Sequence, residues 1–366
     1  MTALHLVVFQ AEFGDALLLE HEGSLGTHRY LIDGGPIDNY ATNVRAQLES
    51  VAKAGGKLDV VVLSHVDNDH VLGLLDLLAE LDAQHDAGAP LLIDVGEVWH
   101  NSFALIPGDP ASESKVKAAV QAAGATMMSL DSSIHGVGEG NKLRLLALKL
   151  GLPLNQPFPN GEVRVETAPV IDRDGLRLQV VGPSKANLDA LRKAWLKWLE
   201  DHEAEVSSGL PLAAASADGS VPNLSSVCLL ATAGGHSVLL TGDARGDHIV
   251  ANLEALELMP PVGSLHVDLL KMPHHGSDRN VAPSFFDRIT ADRYVFSANG
   301  RDGNPDMATL IWLAESLKRQ GRSARIFVTN RTDSTRKLVE LYPPAAFGYQ
   351  LTILSASRRF ARLTVG

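Results

Sequence analysis

The chain holds one cysteine, Cys228, in 366 residues. That excludes an internal disulfide and fits a reducing cytoplasm, the expected location. Long apolar runs are missing too. No stretch reaches 18 apolar residues, so neither a membrane span nor a membrane partner is expected. The apolar opening, "MTALHLVVFQAEFGD", lacks the basic stretch and small-residue cleavage site of a secretion signal and reads as a first strand. Basic charge is scarce: 32 Lys and Arg stand against 43 Asp and Glu, a net charge of −11. Tight non-specific binding to duplex nucleic acid depends on Lys and Arg neutralising phosphates, so this balance argues against it, though not against a local basic groove.

What is present is a soluble, globular composition, 45% hydrophobic, long enough to bury a sizeable core. Strand-like runs at 4–10, 15–22 and 28–35 are separated by glycine-containing turns. A helix is predicted from about Asn39 to Ala54, stopped by Gly55 and Gly56. The run 57–65, "KLDVVVLSH", has the continuous apolar pattern of a buried strand, and 71–81 repeats apolar residues at helical spacing. Further strands are read at 90–100 and 176–183, and helices at 114–124 and 187–205. The stretch 207–223 reads as a loop, followed by two strands turning at Gly234 and Gly235. No repeat of solenoid length occurs, and alternating strands and helices predict a layered α/β fold.

Polar residues gather where these apolar runs stop. "SHVDNDH" places His65, Asp67, Asp69 and His70 within six positions after one strand. Asp33 follows a second strand, Asp243 a third, and His274 and His275 a fourth. A lone Asp after a strand is usually a turn former or helix cap. Four carboxylate and imidazole groups crowded between a buried strand and a helix are different, because their desolvation needs a compensating cation. Together the four strand ends predict a metal site at one sheet edge. His100 and Asn101, ending another strand on that edge, are candidates for touching substrate. Trp195 and Trp198 read as a packed helix face, and Cys228 as a small core residue.

These landmarks resemble the metallo-β-lactamase fold superfamily, whose usual second motif is His-x-His-x-Asp-His after a buried strand. "YLIDGGP" resembles the first motif, "SHVDNDH" the second, "LLTGDA" the fourth and "KMPHHGSD" the fifth. Within the superfamily the chain is most similar to the hydrolase domain of ComEC competence proteins. It shares the Gly-Asp turn of "FGDALLLE", Asp67 at the second motif position, "NLSSVCLL" before the fourth motif and the "HHGS" form of the fifth. "SANGRDGNPDMATLIWL" resembles the end of that domain, with Asn304 where a His often precedes Pro.

The resemblance implies a four-layer αββα sandwich of the metallo-β-lactamase type. It would be one hydrolase domain over 1–366, with a helix-and-loop insertion at about 185–222. It also implies two divalent metal ions. His65 and Asp67 would hold one, with Asn223 a weak third candidate. Asp69, His70 and His275 would hold the other, and Asp243 would bridge both. Asp69 would also serve as base toward water, and His274 would face the scissile phosphate or leaving group. Asp33 would orient a histidine, and Ser225 shares with Asn223 the place of a missing third-motif His. Two imidazoles of the usual set are replaced here, and oxygen donors favour Mn²⁺ over Zn²⁺. The expected activity is metal-dependent phosphodiester hydrolysis, nuclease-like by resemblance, with DNA or a nucleotide as partner. The alternatives are a small phosphodiester, another ester or lactone, or a binding protein with a decayed site.

Overall fold

The computed structural model describes residues 3–101, 132–201 and 222–365. The helix expected at 114–124, most of the loop expected at 207–223, and the side chains of Trp195 and Trp198 lie outside the described residues.

Fourteen strands among the described residues form two sheets. The first sheet has the order β14-β1-β2-β3-β4-β5, and the second β13-β12-β11-β10-β9-β8-β7-β6. In the first sheet β1 (Ala3–Phe9), β2 (Leu17–Glu22), β3 (Thr27–Ile32), β4 (Leu58–Val62) and β5 (Val95–Trp99) come in chain order, and the last strand, β14 (Phe360–Val365), returns to pair with β1. The second sheet holds β6 (Ile171–Arg173), β7 (Leu176–Gly182), β8 (Cys228–Ala233), β9 (His236–Leu240), β10 (Leu265–Lys271), β11 (Ile289–Phe296), β12 (Ala324–Val328) and β13 (Tyr349–Ile353).

Alternation along each strand divides the core into three layers. In β1, Leu4, Leu6 and Val8 face the other sheet, where they meet Leu229, Val238, Leu269, Val295 and Phe327. Val7 and Phe9 point outward to the helices α1 (Arg45–Lys53), α2 (Asn68–Asp86) and α3 (Ser132–Lys149). The helix α4 (Lys185–Asp201) follows β7. On the outer face of the second sheet, α5 (Gly246–Ala255), α6 (Phe285–Arg288), α7 (Met307–Gln320) and α8 (Asp333–Leu341) cover Val267, Leu270, Tyr294 and Ile326. Helices, two sheets and helices again make the αββα sandwich of metallo-β-lactamase type. No described helix is long and apolar enough to cross a membrane.

Element boundaries shift from the sequence reading where polar residues extend a helix. Helix α2 begins at Asn68, three residues before its apolar repeat, and the segment before α1 is a π-turn over Tyr40–Val44. Cys228 is buried in β8, and Gly234 and Gly235, both at positive φ, make the tight β8–β9 turn.

Candidate metal centre

The site stands where β3, β4, β9 and β10 end, each buried strand giving way to a polar turn. After β4 the chain runs Ser64-His65-Val66-Asp67 and then enters α2. Asp67 occupies the N-cap position but makes no side-chain cap bond, so its carboxylate is left to other partners. Asp69 lies in the first turn, where the helix dipole favours an anion. His70 is on the buried face of α2. The helix comes this close to the β3 turn because both contacting residues are glycine: a Cβ on Gly73 would sit 2.0 Å from the Gly34 carbonyl oxygen. Gly34 N–H donates to the His70 carbonyl (2.8 Å), which brings Asp33 beside the His70 ring.

Four imidazoles converge on one carboxylate. The Nε2 atoms of His275, His70, His274 and His65 lie 3.3, 3.4, 3.6 and 3.8 Å from Asp243 Oδ2. Asp69 Oδ2 is 3.3 Å from His275 Nε2 and 3.7 Å from His70 Nε2, and Asp67 Oδ2 is 3.6 Å from His65 Nε2. One ligand atom each from Asp69, His70, Asp243 and His275 falls within 4.8 Å of the others, compact enough for one cation.

The far side of each ring shows which nitrogen is free. His70 Nδ1 meets Asp33 Oδ2 at 2.8 Å, and His275 Nδ1 meets the Ser297 carbonyl at 2.8 Å. His274 Nδ1 meets Asn280 Oδ1 at 2.7 Å. These partners only accept, so the Nδ1 atoms carry the hydrogen and donate. Ser64 donates its N–H and O–H to the two Asp33 oxygens, which leaves Ser64 Oγ to accept from His65 Nδ1 at 3.0 Å. In the neutral rings each Nε2 therefore presents a lone pair to the centre. The buried Nε2 atoms of His65, His70 and His275, and Oδ1 of Asp243, have no hydrogen-bond partner. Such a set of inward lone pairs, held by outer hydrogen bonds, fits divalent cations.

The protein groups alone show the same demand for positive charge. Burial works against ionising Asp243, but His275, His70 and His274 outweigh it and hold the carboxyl well below its usual range. Burial also disfavours charge on His70 and His275, yet the facing carboxylates, Asp243 foremost, raise both well above the ordinary imidazole value.

The structure adds a buried pair absent from the sequence reading as site residues. Lys271, at the end of β10, is fully buried and ion-paired with Asp15, the residue after Gly14. Lys271 Nζ also lies 4.0 Å from Asp243 Oδ1, and Asp15 Oδ1 lies 3.4 Å from His275 Nδ1. Asp15, Asp33 and His70 form a second compact group. The available signal was a lysine closing an otherwise apolar strand pattern, which ordinarily ends in solvent. Glu139 on α3 is a further unforeseen group: burial, with Asp67 nearby, raises its pKa to about 7.

His274 and His275 differ in setting. His275 is buried, while the His274 side chain is 28% exposed at the rim. Both adopt positive φ, 46° and 56°, a strained backbone for non-glycine residues that here swings both rings toward Asp243. Asn223 is buried with Nδ2 3.4 Å from His274 Nδ1, and Ser225 is buried in the same turn before β8. Asn101 donates to and accepts from the Val163 backbone (2.7 and 3.0 Å), which ties its amide to the main chain. His100 is fully buried, its backbone gripped by Asn155, and burial lowers its pKa to about 4.

Residues 11–183 match the model of the Metallo-beta-lactamase superfamily. No curated protein matches it. Among solved structures it is similar to the metallo-beta-lactamase fold protein YhfI from Bacillus subtilis, at 12% identity and TM-score 0.40, over 99% of each chain. It is also similar to Zn(2+)-bound PqqB from Methylobacterium extorquens, at 12% identity and TM-score 0.41, over 98% of this chain and 99% of that one. A diphosphatase from the PhnP family is similar at 10% identity and TM-score 0.38, over 98% and 97%.

Proposed function

We propose, taking the match to the Metallo-beta-lactamase superfamily as premise, that this chain is a metal-dependent hydrolase acting on phosphodiesters at the Asp243-centred cluster. One observation carries the reading: four imidazole Nε2 atoms within 3.8 Å of a single buried carboxylate oxygen.

His65 and Asp67 would hold one divalent cation, Asp69, His70 and His275 the other, and Asp243 both. The chemistry such cations supply when bound is acidification of a water and neutralisation of phosphoryl charge. The protein's own groups do the rest. Asp33, by accepting from His70 Nδ1, fixes that ring's tautomer and angle, as the Ser297 carbonyl does for His275. Asp69, partly open to solvent, is positioned to accept the proton of an attacking water. His274 at the rim, its Nδ1 anchored by Asn280, presents Nε2 toward the leaving oxygen.

An anionic ester approaching Asp67, Asp69 and Asp243 meets three carboxylates, so two cations suit it better than one. The net charge of −11 favours a small diester or single strand over duplex. The ComEC-type motifs extend the proposal to nuclease-like activity on DNA, and the oxygen donors Asp67 and Asn223 extend it to Mn²⁺. The test is to measure bound metal and the hydrolysis of bis(p-nitrophenyl) phosphate, then of single-stranded DNA and a cyclic dinucleotide. A protein that retains metal and hydrolyses none of them, or retains no metal, has a binding role instead.

A further inference from the structure

A second polar site lies along β10 to β13 where they approach β14, away from the metal centre. Arg293 on β11 and Arg325 on β12 are direct partners in the parallel register, which puts both side chains on one face. Neighbouring strands are about 4.8 Å apart, so two guanidinium groups leave the sheet side by side. The face is the inner one: Leu269 pairs with Arg293, and Val295 and Phe327, each two residues on, belong to the core between the sheets. The pair lines a cavity of about 920 Å³ together with Asp268, Asp292, Thr364 and Val365. Ser297, whose carbonyl holds His275, is four residues beyond Arg293, about 13 Å along the strand with Val295 between.

Neither arginine is in a salt bridge among the described residues. Arg293 donates only to the Thr364 carbonyl, at 3.0 Å, and Arg325 has no hydrogen-bond or salt-bridge partner among the described residues. The carboxylates bordering the cavity are engaged elsewhere: Asp268 accepts from His236 and from Ser237, and Asp292 lies 3.4 Å from His266. Burial, followed by the Arg325 charge, lowers the proton affinity of Arg293. Like charges placed opposite one another on adjacent strands destabilise a sheet, and a chain with a net charge of −11 has carboxylates to spare.

We propose that the Arg293–Arg325 pair is a binding site for a compact, multiply charged oxyanion, phosphoryl or carboxylate, which enters this cavity and is gripped by both guanidinium forks. Arginine suits this task because its planar donors match two oxygens at once and its charge persists at any working pH. Gln350, the register partner of Arg325 on β13, lines the same cavity and adds an amide. The inference is independent of the hydrolase reading.

The experiment is calorimetric titration of the purified chain with pyrophosphate and, separately, with citrate, alongside Arg325→Gln and Arg325→Lys. Arg325 is exposed, so its replacement leaves the fold intact. Saturable one-to-one binding of either anion is expected, weakened about tenfold or more in Arg325→Gln and partly recovered in Arg325→Lys. The anion that binds more tightly identifies the oxygen chemistry. Without anion, the melting temperature of Arg325→Gln should equal or exceed that of the wild type, since a repulsion is removed, and the anion-induced rise should disappear. Hydrolysis of the generic diester should be unchanged. Absence of saturable binding, binding equal in wild type and Arg325→Gln (the signature of an anion held at the metal centre), or a lowered melting temperature in anion-free Arg325→Gln would each overturn the proposal.

Discussion

The two halves of the sandwich reach the same edge by different means. The first half delivers His65, Asp67, Asp69 and His70 from one continuous segment, where β4 gives way to the amino end of α2. The second half assembles Asp243, Lys271, His274 and His275 from the ends of β9 and β10, and needs left-handed backbone at both histidines to aim them. Geometry in the first half is local, fixed by one helix start and the Gly34–Gly73 contact. In the second it depends on strand register, and a buried ion pair from Asp15 to Lys271 ties it to the first. The shared element, Asp243, should therefore be the least replaceable, and purely local supports the most tolerant.

The strongest break of this contrast is Asp243→Ala. It removes the carboxylate that faces all four imidazoles, so metal content and diester turnover should fall together, turnover by about 10⁴-fold. Elemental analysis and steady-state assay check this, and full retention of both would refute the centre. Next is Lys271→Met, which strands Asp15 as a buried charge and should cost about 3–5 kcal/mol in urea unfolding. Adding Asp15→Asn should recover part of that loss, and additive losses would show that the pair does not couple the halves.

His100 makes a pH-dependent test confined to the first half. Its pKa is about 4 in the fold against 6.5 for a free imidazole, because burial disfavours the charge. The unfolded chain takes up the proton first as pH falls. Stability is thus fully present above 6.5 and lost toward 4, by about 3 kcal/mol. Urea titrations at several pH values should show that part of the acid sensitivity disappear in His100→Phe.

A smaller effect is expected from Asp33→Asn, which keeps the shape but weakens the acceptor for His70 Nδ1. Metal affinity should drop about 10–100-fold, read by competition with a chelating dye. The smallest concerns metal choice. The wild type should be reactivated better by Mn²⁺ than by Zn²⁺, and Asp67→His with Asn223→His should shift that ratio toward zinc. Reconstitution of both proteins with each ion measures it, and a wild type active with zinc and silent with manganese would reverse the assignment.

The difference between the halves also explains which parts were legible in sequence. Residues 64–70 announce themselves because a dense polar cluster interrupts an apolar pattern over a few positions. Asp33, Asp243 and the 274–275 pair were legible as strand-end residues, but only in combination. Asp15 and Lys271 were not read as site residues, since a lysine at a strand end ordinarily marks solvent. Only packing of both sheets buries it against a carboxylate 256 positions away in the chain. The bonding of Asn101 was hidden for a related reason: its amide partner, the Val163 backbone, lies 62 positions away in the chain.

By itself, the sequence determined the alternation of strands and helices, the apolar strands that must be buried, and the polar turns that end them, because periodicity and desolvation act over short stretches. Tertiary structure alone decided that four imidazoles share one carboxylate, which ring nitrogen each presents, that Lys271 is buried, and that Arg293 and Arg325 stand together. Those properties arise between residues far apart in the chain, where strand register and hydrogen-bond partners from other elements set distance and protonation.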